Sequence, residues 1–518
     1  MKIKYIFLAM VVMFTMTSCT YNFEELNKNP NNPATSDVDY IFNYVVKEGA
    51  GEYAGSGGGR IYSTYNITYV QRWIMHTAAV YGNSTMPPYT LFDQYRIQNL
   101  WRYFYTDLLL NCTVLENMLK DDPALVNKYQ AVRIWKAYNF QRVTDLWGDV
   151  PYSEAWKILD DYTKESQSPG YDNQEFIYND LMDILKDAAA SFDKDKIFFS
   201  NDMLFQGNID SWVKFANSLR LRMAIRSGDQ AVVNEIIAEN NLISSNEESA
   251  LFSYIESQDW WSPYYAMNIG SKNPTNPSNT GTSVPKISEL MVRQLRDSND
   301  PRLEIYAQPI EIDNTTITGV PNLMNATLKE NQAMGMGVSS SSYIGPYFSD
   351  NPTFVNPLLT YTEVCFLRAE AAFRGWSEGD IAEDLYREGV QSALEYFEIA
   401  DSVIQEFIAT GGAFNNTLEQ IITQKWISLY LNGWEAFAEY RRTGFPKLHK
   451  WDLELDGVKI LKANWVEVPR NYLPGRLPYP DDEVDLNYTN YKEASDNQGG
   501  DSYYQQVWWS RQFGTIEY

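Results

Sequence analysis

"AYNFQRVTDLWGDVPYSEAW" (residues 137–156) carries a helix and its stop signal in one stretch. Ala137, Phe140, Val143 and Trp147 are spaced 3, 3 and 4 apart, which is one apolar stripe of an α-helix. The turn from Trp147-Gly148 to Pro151-Tyr152 then ends it, because Gly accepts the positive φ of a C-cap and Pro cannot continue the helix. The same spacing recurs outward along the chain. Trp212, Phe215, Leu219 and Met223 form the stripe of 210–227, and Cys365, Ala369, Ala372 and Trp376 that of 363–376. Small residues on the latter let a partner helix approach closely.

These patterns predict helices near 37–48, 60–81, 90–121, 124–147, 174–192, 210–227, 229–240, 283–297, 358–376, 380–398 and 417–443. They fall into neighbouring pairs: 90–121 with 124–147, 174–192 with 210–227, 358–376 with 380–398, and 400–410 with 417–433. The expected fold is mostly α, a tetratricopeptide-like helix-hairpin scaffold, although no strict 34-residue period can be laid on the chain. Two stretches read otherwise. Residues 241–357, with "KNPTNPSNTGTS" and "GMGVSSSSYIGPYFSDNP", are dominated by turn chemistry. Residues 444–518 also read as irregular. The expectation is a single body over 37–518: scaffold at about 37–240 and 358–443, a loop-rich irregular subdomain inserted at about 241–357, and an irregular C-terminal part at 444–518.

The N-terminus reads as an address. Lys2 and Lys4 precede the apolar "YIFLAMVVMFT" (5–15), and Thr17-Ser18 precede Cys19. This is a secretory signal layout, too short in its apolar run to span a membrane. Cys19 could be a disulfide partner, a metal ligand, a nucleophile or a lipid anchor. Its position directly after the apolar run resembles the lipobox of bacterial lipoproteins, where such a cysteine is diacylated, with Thr17-Ser18 in place of the usual small apolar pair. The resemblance implies a signal peptide over 1–18, a lipidated, flexible tether over 19–36, and an outer-membrane protein facing the exterior. Attachment is through the lipid alone, since each buried CH₂ contributes about 0.8 kcal/mol.

Composition narrows the partners. The chain has 518 residues, 15% aromatic, with a formal net charge of −25. Loss of Lys2 and Lys4 with the signal leaves about −27 on the same count. Such a surface repels nucleic acid and anionic lipid and is indifferent to neutral sugars. Of the three cysteines, Cys112 and Cys365 lie in apolar helical patterns and read as buried free thiols.

A search for catalytic chemistry finds none. The two histidines, His76 and His449, are far apart, and there is no HExxH, no Cys/His metal spacing, no P-loop and no GxSxG elbow. "GSGGGR" (55–60) lacks the Lys-Ser/Thr ending of a phosphate loop. No metal, cofactor or catalytic residue is assigned, and the expectation is that the protein is not an enzyme.

Five stretches in order carry a wider pattern: 137–156, "WVKFANSLRLRMAIR" (212–226), "YTEVCFLRAEAAFRGW" (361–376), "QKWISLYLNGWEAFAEYRRTGFPKL" (424–448) and "RLPYPDDEVDLNYTNYKEA" (476–494). With "NFEELNKNPNNP" after Cys19, they closely resemble the SusD/RagB family of outer-membrane nutrient-binding lipoproteins. The departure is Gln424-Lys425-Trp426, where members commonly begin with a more charged "ERxxE". The motifs themselves read as structural: Arg368 and Glu370 pairing or capping within the bundle, and Asn217, Arg220 and Arg222 bonding loop backbone. The resemblance implies a lid on a SusC-like TonB-dependent outer-membrane transporter. Such a lid captures glycan oligosaccharides, or peptides in some members, and passes them inward. A surface glycosidase, which needs two carboxylates across a cleft, is the competing reading outside this class.

Sugar binding without catalysis needs aromatic faces flanked by hydrogen-bonding groups. "SQDWWSPYYAMNIGSKN" (257–273) supplies Trp260, Trp261, Tyr264 and Tyr265 in a loop context. "HTAAVYGNSTMPPY" (76–89) supplies Tyr81 and Asn83. These six are the candidate ligand-binding residues.

Overall fold

The computed structural model describes residues 38–51, 65–78, 91–159, 167–257, 261–272, 285–322, 340–456 and 459–514. Helix pairing follows the periodicity. Leu110–Leu119 packs on Val126–Trp147, Gln174–Ala190 on Ile209–Ser227, and Tyr361–Phe373 on Ala382–Glu395. Side-chain caps set several starts: Asn173 accepts from Phe176 N, Asn208 from Ser211 N, and Thr360 from Glu363 N. The fourth expected pair differs. Asp401–Ala409 packs mainly on Ala382–Glu395, whereas Leu418–Ser428 packs mainly on Tyr361–Phe373. The helix expected at 417–443 is two, Leu418–Ser428 and Gly433–Thr443, broken where Leu431 takes φ 70°.

The Val126–Trp147 helix is more than amphipathic. Every residue from Ala137 to Trp147 is buried, because the C-terminal segment covers the face that neighbouring helices leave open. Trp147 Nε1 donates to Pro478 O at 2.9 Å, Leu477 N to Leu146 O at 2.7 Å, and Arg476 Nη1 to Trp147 O at 3.2 Å. The Gly148 turn has φ 81°, and a Cβ there would lie 1.9 Å from Gln498 Oε1. Glycine is required on both counts.

The polar residues of the helical motifs meet in one buried ion network. Arg226 reaches Asp145 at 2.6 Å and also contacts Glu435 and Glu439. Arg222 holds Glu363 at 2.7 Å, Lys425 lies 3.2 Å from Glu439, and Arg442 bonds Glu370 and Glu439 at 2.6 and 2.7 Å. Arg368 and Glu370 each pair within the bundle, Arg368 with Asp380 at 2.8 Å and Glu370 with Arg442. One expectation is corrected here. Arg220 and Arg222 bond chiefly carboxylates, and only Asn217 is held by loop backbone alone, donating to Asn241 O. Lys425, in the departure noted above, is 1% exposed and ionically paired, so it is a buried charge and not a surface one.

Residues 241–357 form a closed excursion. Ala250–Ser253 pairs antiparallel with Val355–Leu359, so chain entry and exit adjoin. Inside, short helices at Pro263–Lys272, Leu303–Tyr306 and Pro346–Ser349 accompany the expected one, found at Glu289–Asp297. Nor is 444–518 irregular throughout. It holds a hairpin, His449–Asp456 with Lys459–Glu467, and helices Asp481–Leu486 and Tyr488–Asn497. The alternation Trp451, Leu453, Leu455 ahead of Asp456-Gly457 is the pattern of such a hairpin. Cys112 and Cys365 are buried free thiols, and burial pushes the Cys365 thiol up to about 12.

Candidate functional site

Cys19, Tyr81, Asn83 and Trp260 lie outside the described residues. Trp261, Tyr264 and Tyr265 sit at the start of the Pro263–Lys272 helix, where a loop was expected. Pro263 explains the start, since its fixed φ and missing N–H suit a first helical position. Three contacts pin this helix to the body. Ser262 N donates to Pro352 O at 2.8 Å, Asn268 Nδ2 to Ser349 O at 2.9 Å, and the Tyr264 hydroxyl to Leu431 O at 3.0 Å.

Helical geometry then divides the aromatics. Tyr264 is 6% exposed, its ring edge-on to Phe354 at 5.9 Å, and burial raises its phenol well above the usual range. It is a packing residue whose ring has no free face for a ligand. Trp261 and Tyr265, one helical turn apart, form an edge-to-face pair at 5.1 Å and 82°, and both remain partly exposed. Among the described residues of the expected aromatic run, these two keep accessible ring surface.

Leu431 is the node beneath. Its carbonyl accepts from Tyr264 Oη, from Gln71 Nε2 at 2.8 Å and from Asn66 Nδ2 at 2.9 Å. These three donors satisfy the carbonyl of a residue held at positive φ, a conformation costly for a branched side chain. Gln71 O in turn accepts from His76 N at 2.8 Å, which leads into a two-residue ribbon. There Thr77 opposes Ile287 and Ala78 opposes Lys286. The residues flanking 79–90 and 273–284 are therefore joined. Bridges Lys286↔Tyr343 and Ser288↔Val320 bring the flanks of 323–339 to the same place, and Asn322 Nδ2 bonds Arg72 O at 2.6 Å. The ribbon thus gathers the residues before 79–90, those after 273–284 and those on both sides of 323–339.

His76 is not a catalytic base. Its ring lies 5.0 Å from Trp426, its Nε2 is 3.0 Å from Trp426 O, and burial drives its pKa down to about 3. Nε2 therefore carries the proton and donates, and the ring stays neutral. Among the described residues, no group of three His, Cys, Asp or Glu could hold a metal, and no helix is long and apolar enough to cross a membrane. The acidic residues that cluster tightly face arginine and lysine inside the ion network.

The described residues form a helix-hairpin scaffold with an inserted, aromatic-edged subdomain. The family model SusD-like_2, described as "Starch-binding associating with outer membrane", matches residues 30–464, and the chain belongs to that family. It is accordingly a nutrient-binding protein and not an enzyme. No curated protein sequence matches it. Among solved structures, a chitin-binding protein is similar with TM-score 0.72 and 26% identity, over 91% of this chain and 99% of that one. A chitin-binding SusD homolog from Flavobacterium johnsoniae has TM-score 0.71 and 22% identity, over 91% and 98%. A SusD homolog from Bacteroides vulgatus has TM-score 0.72 and 22% identity, over 92% and 98%.

Proposed function

We propose that the protein captures glycan oligosaccharides at the bacterial cell surface and delivers them to a SusC-like TonB-dependent transporter. The observation that carries this reading is the Trp261–Tyr265 pair, partly exposed at the start of a helix pinned to the body through Tyr264 and Asn268. Rigid aromatic faces flanked by hydrogen-bonding groups suit neutral sugar rings. Family membership supports an outer-membrane glycan role, and the two chitin-binding relatives point to N-acetylated glycans as the first probes. The lipobox-like Cys19 and the net charge of −25 fit a soluble body held on its membrane by lipid alone. The test is titration of the purified chain with chitin, starch and peptide oligomers. Saturable binding of a glycan with Trp261→Ala weakened supports the reading; binding confined to peptides overturns it.

A further inference from the structure

The hairpin His449–Asp456/Lys459–Glu467 carries an aromatic cluster that the site above does not use and that joins the core only through Trp465. Trp451 and Trp465 are directly opposed in the ladder, with rings 5.4 Å apart. The Arg293 guanidinium lies over both, 4.8 Å from Trp465 and 5.5 Å from Trp451, and is itself bonded to Glu289 at 2.7 Å. His449 stacks on Trp465 at 5.7 Å and 6°. Trp465 packs against the hydrophobic core and is held between Arg293 and His449. Trp451 does not join the core and stays partly exposed.

A two-stranded hairpin is marginal by itself, and the packing of Trp465 against the core beneath Arg293 explains why this one holds. It does not explain an open tryptophan where a β-branched residue would serve. Two further observations point to its ligand. Residues 447–467 carry four lysines and four carboxylates, a neutral stretch on a chain of −25, which suits an uncharged partner. Arg293 also stands six residues after Ile287 of the ribbon, so the cluster lies within about 20 Å of chain from the ribbon.

We propose that Trp451, flanked by the Arg293–Glu289 pair, is a second carbohydrate platform. It engages a long glycan chain that continues past the Trp261–Tyr265 edge. This rests on the glycan reading above. The ring supplies the stacking face, and Arg293 and Glu289 supply a donor and an acceptor for hydroxyls beside it.

The experiment compares the full chain with Trp451→Ala, Trp451→Tyr and Trp261→Ala. Retention on insoluble chitin and starch is measured alongside titration with their disaccharides. Trp451→Ala is expected to lower polysaccharide affinity about tenfold while leaving disaccharide affinity and thermal midpoint unchanged. Trp451→Tyr retains most of the binding, and Trp261→Ala weakens both ligands. Unchanged polysaccharide affinity in Trp451→Ala overturns the platform alone. So does a loss accompanied by a lowered midpoint, which makes Trp451 a packing residue. A wild-type chain retained by neither polysaccharide overturns the glycan reading and the platform together.

Discussion

Arg226 and Asp145 meet at 2.6 Å in the centre of the molecule, joining helices that are 81 positions apart in sequence. Asp145 also accepts from Trp509 Nε1 at 2.9 Å and from the Tyr178 hydroxyl. One carboxylate therefore ties together two helix pairs and the C-terminal segment. Removing one member of such a network leaves an uncompensated buried charge, which costs about 3–5 kcal/mol. Arg226→Ala is expected to lower unfolding free energy by that amount in urea titrations. A loss below about 1 kcal/mol, the range of exposed pairs, would falsify the network's structural role.

Gly148→Ala is expected to destabilise for two separable reasons. One is overlap with Gln498 Oε1, and the other is a side chain at φ 81°. A second substitution, Gln498→Ala, relieves only the first. The double variant should regain part of the stability and keep a residual cost of about 1–3 kcal/mol from the backbone. Full recovery would show that φ carries no penalty there.

Trp261 and Tyr264 are three residues apart and should behave oppositely. Trp261→Ala is expected to weaken glycan binding roughly 5- to 150-fold, from about 1–3 kcal/mol per stacked ring, with the thermal midpoint little changed. Tyr264→Ala removes a core ring and should cost about 3–5 kcal/mol of stability. Tyr264→Phe, which loses the hydroxyl's bond to Leu431 O and the one it accepts from Gln71 Nε2, should cost about 1 kcal/mol per bond. Equal midpoints for Trp261→Ala and Tyr264→Ala would contradict the division of the helix into packed and open sides.

The Asp149 carboxyl is pushed up to about 6 by burial, partly offset by the Gln174 N–H that bonds it at 3.0 Å. Its folded pKa is above the unfolded value, so the native state binds the extra proton between about pH 4 and 6. This group's contribution to stability therefore falls as pH rises through that window. Asp149→Asn should remove the fall, so the stability difference between variant and wild type shifts in the variant's favour from pH 4 to 7. A constant difference across that range refutes the assignment.

Cys19→Ala should abolish lipid labelling and release the chain from membranes. Persistence in the membrane fraction after high-salt washing would count against the lipid anchor. Gentle detergent extraction of the wild type should recover a β-barrel transporter with it; recovery of the lipoprotein alone at native expression argues against delivery through such a partner.

Helices were legible because their signal is local: the stripe of Trp212, Phe215, Leu219 and Met223 needs no knowledge of what it packs against. The hairpin at 449–467 was equally local, with apolar alternation and Asp456-Gly457, yet its charged residues resemble a solvated loop. The candidate site was legible by residue type and not by orientation. "WWSPYY" announces aromatic surface, but which rings face inward depends on Leu431 O, contributed from more than 160 positions away. The left-handed Leu431 had no local signal, because a branched residue adopts that conformation only when distant donors hold it.

The strand pair Ala250–Ser253 and Val355–Leu359 brings the two ends of a hundred-residue excursion side by side. A segment whose ends adjoin can be lengthened, shortened or exchanged at a loop-closure cost that grows only with the logarithm of its length. The ion network that holds the helices lies outside it. The excursion is therefore free in its inner length but fixed at its anchors, the Thr77–Ile287 ribbon and the bonds of Tyr264 and Tyr306 to the carrier.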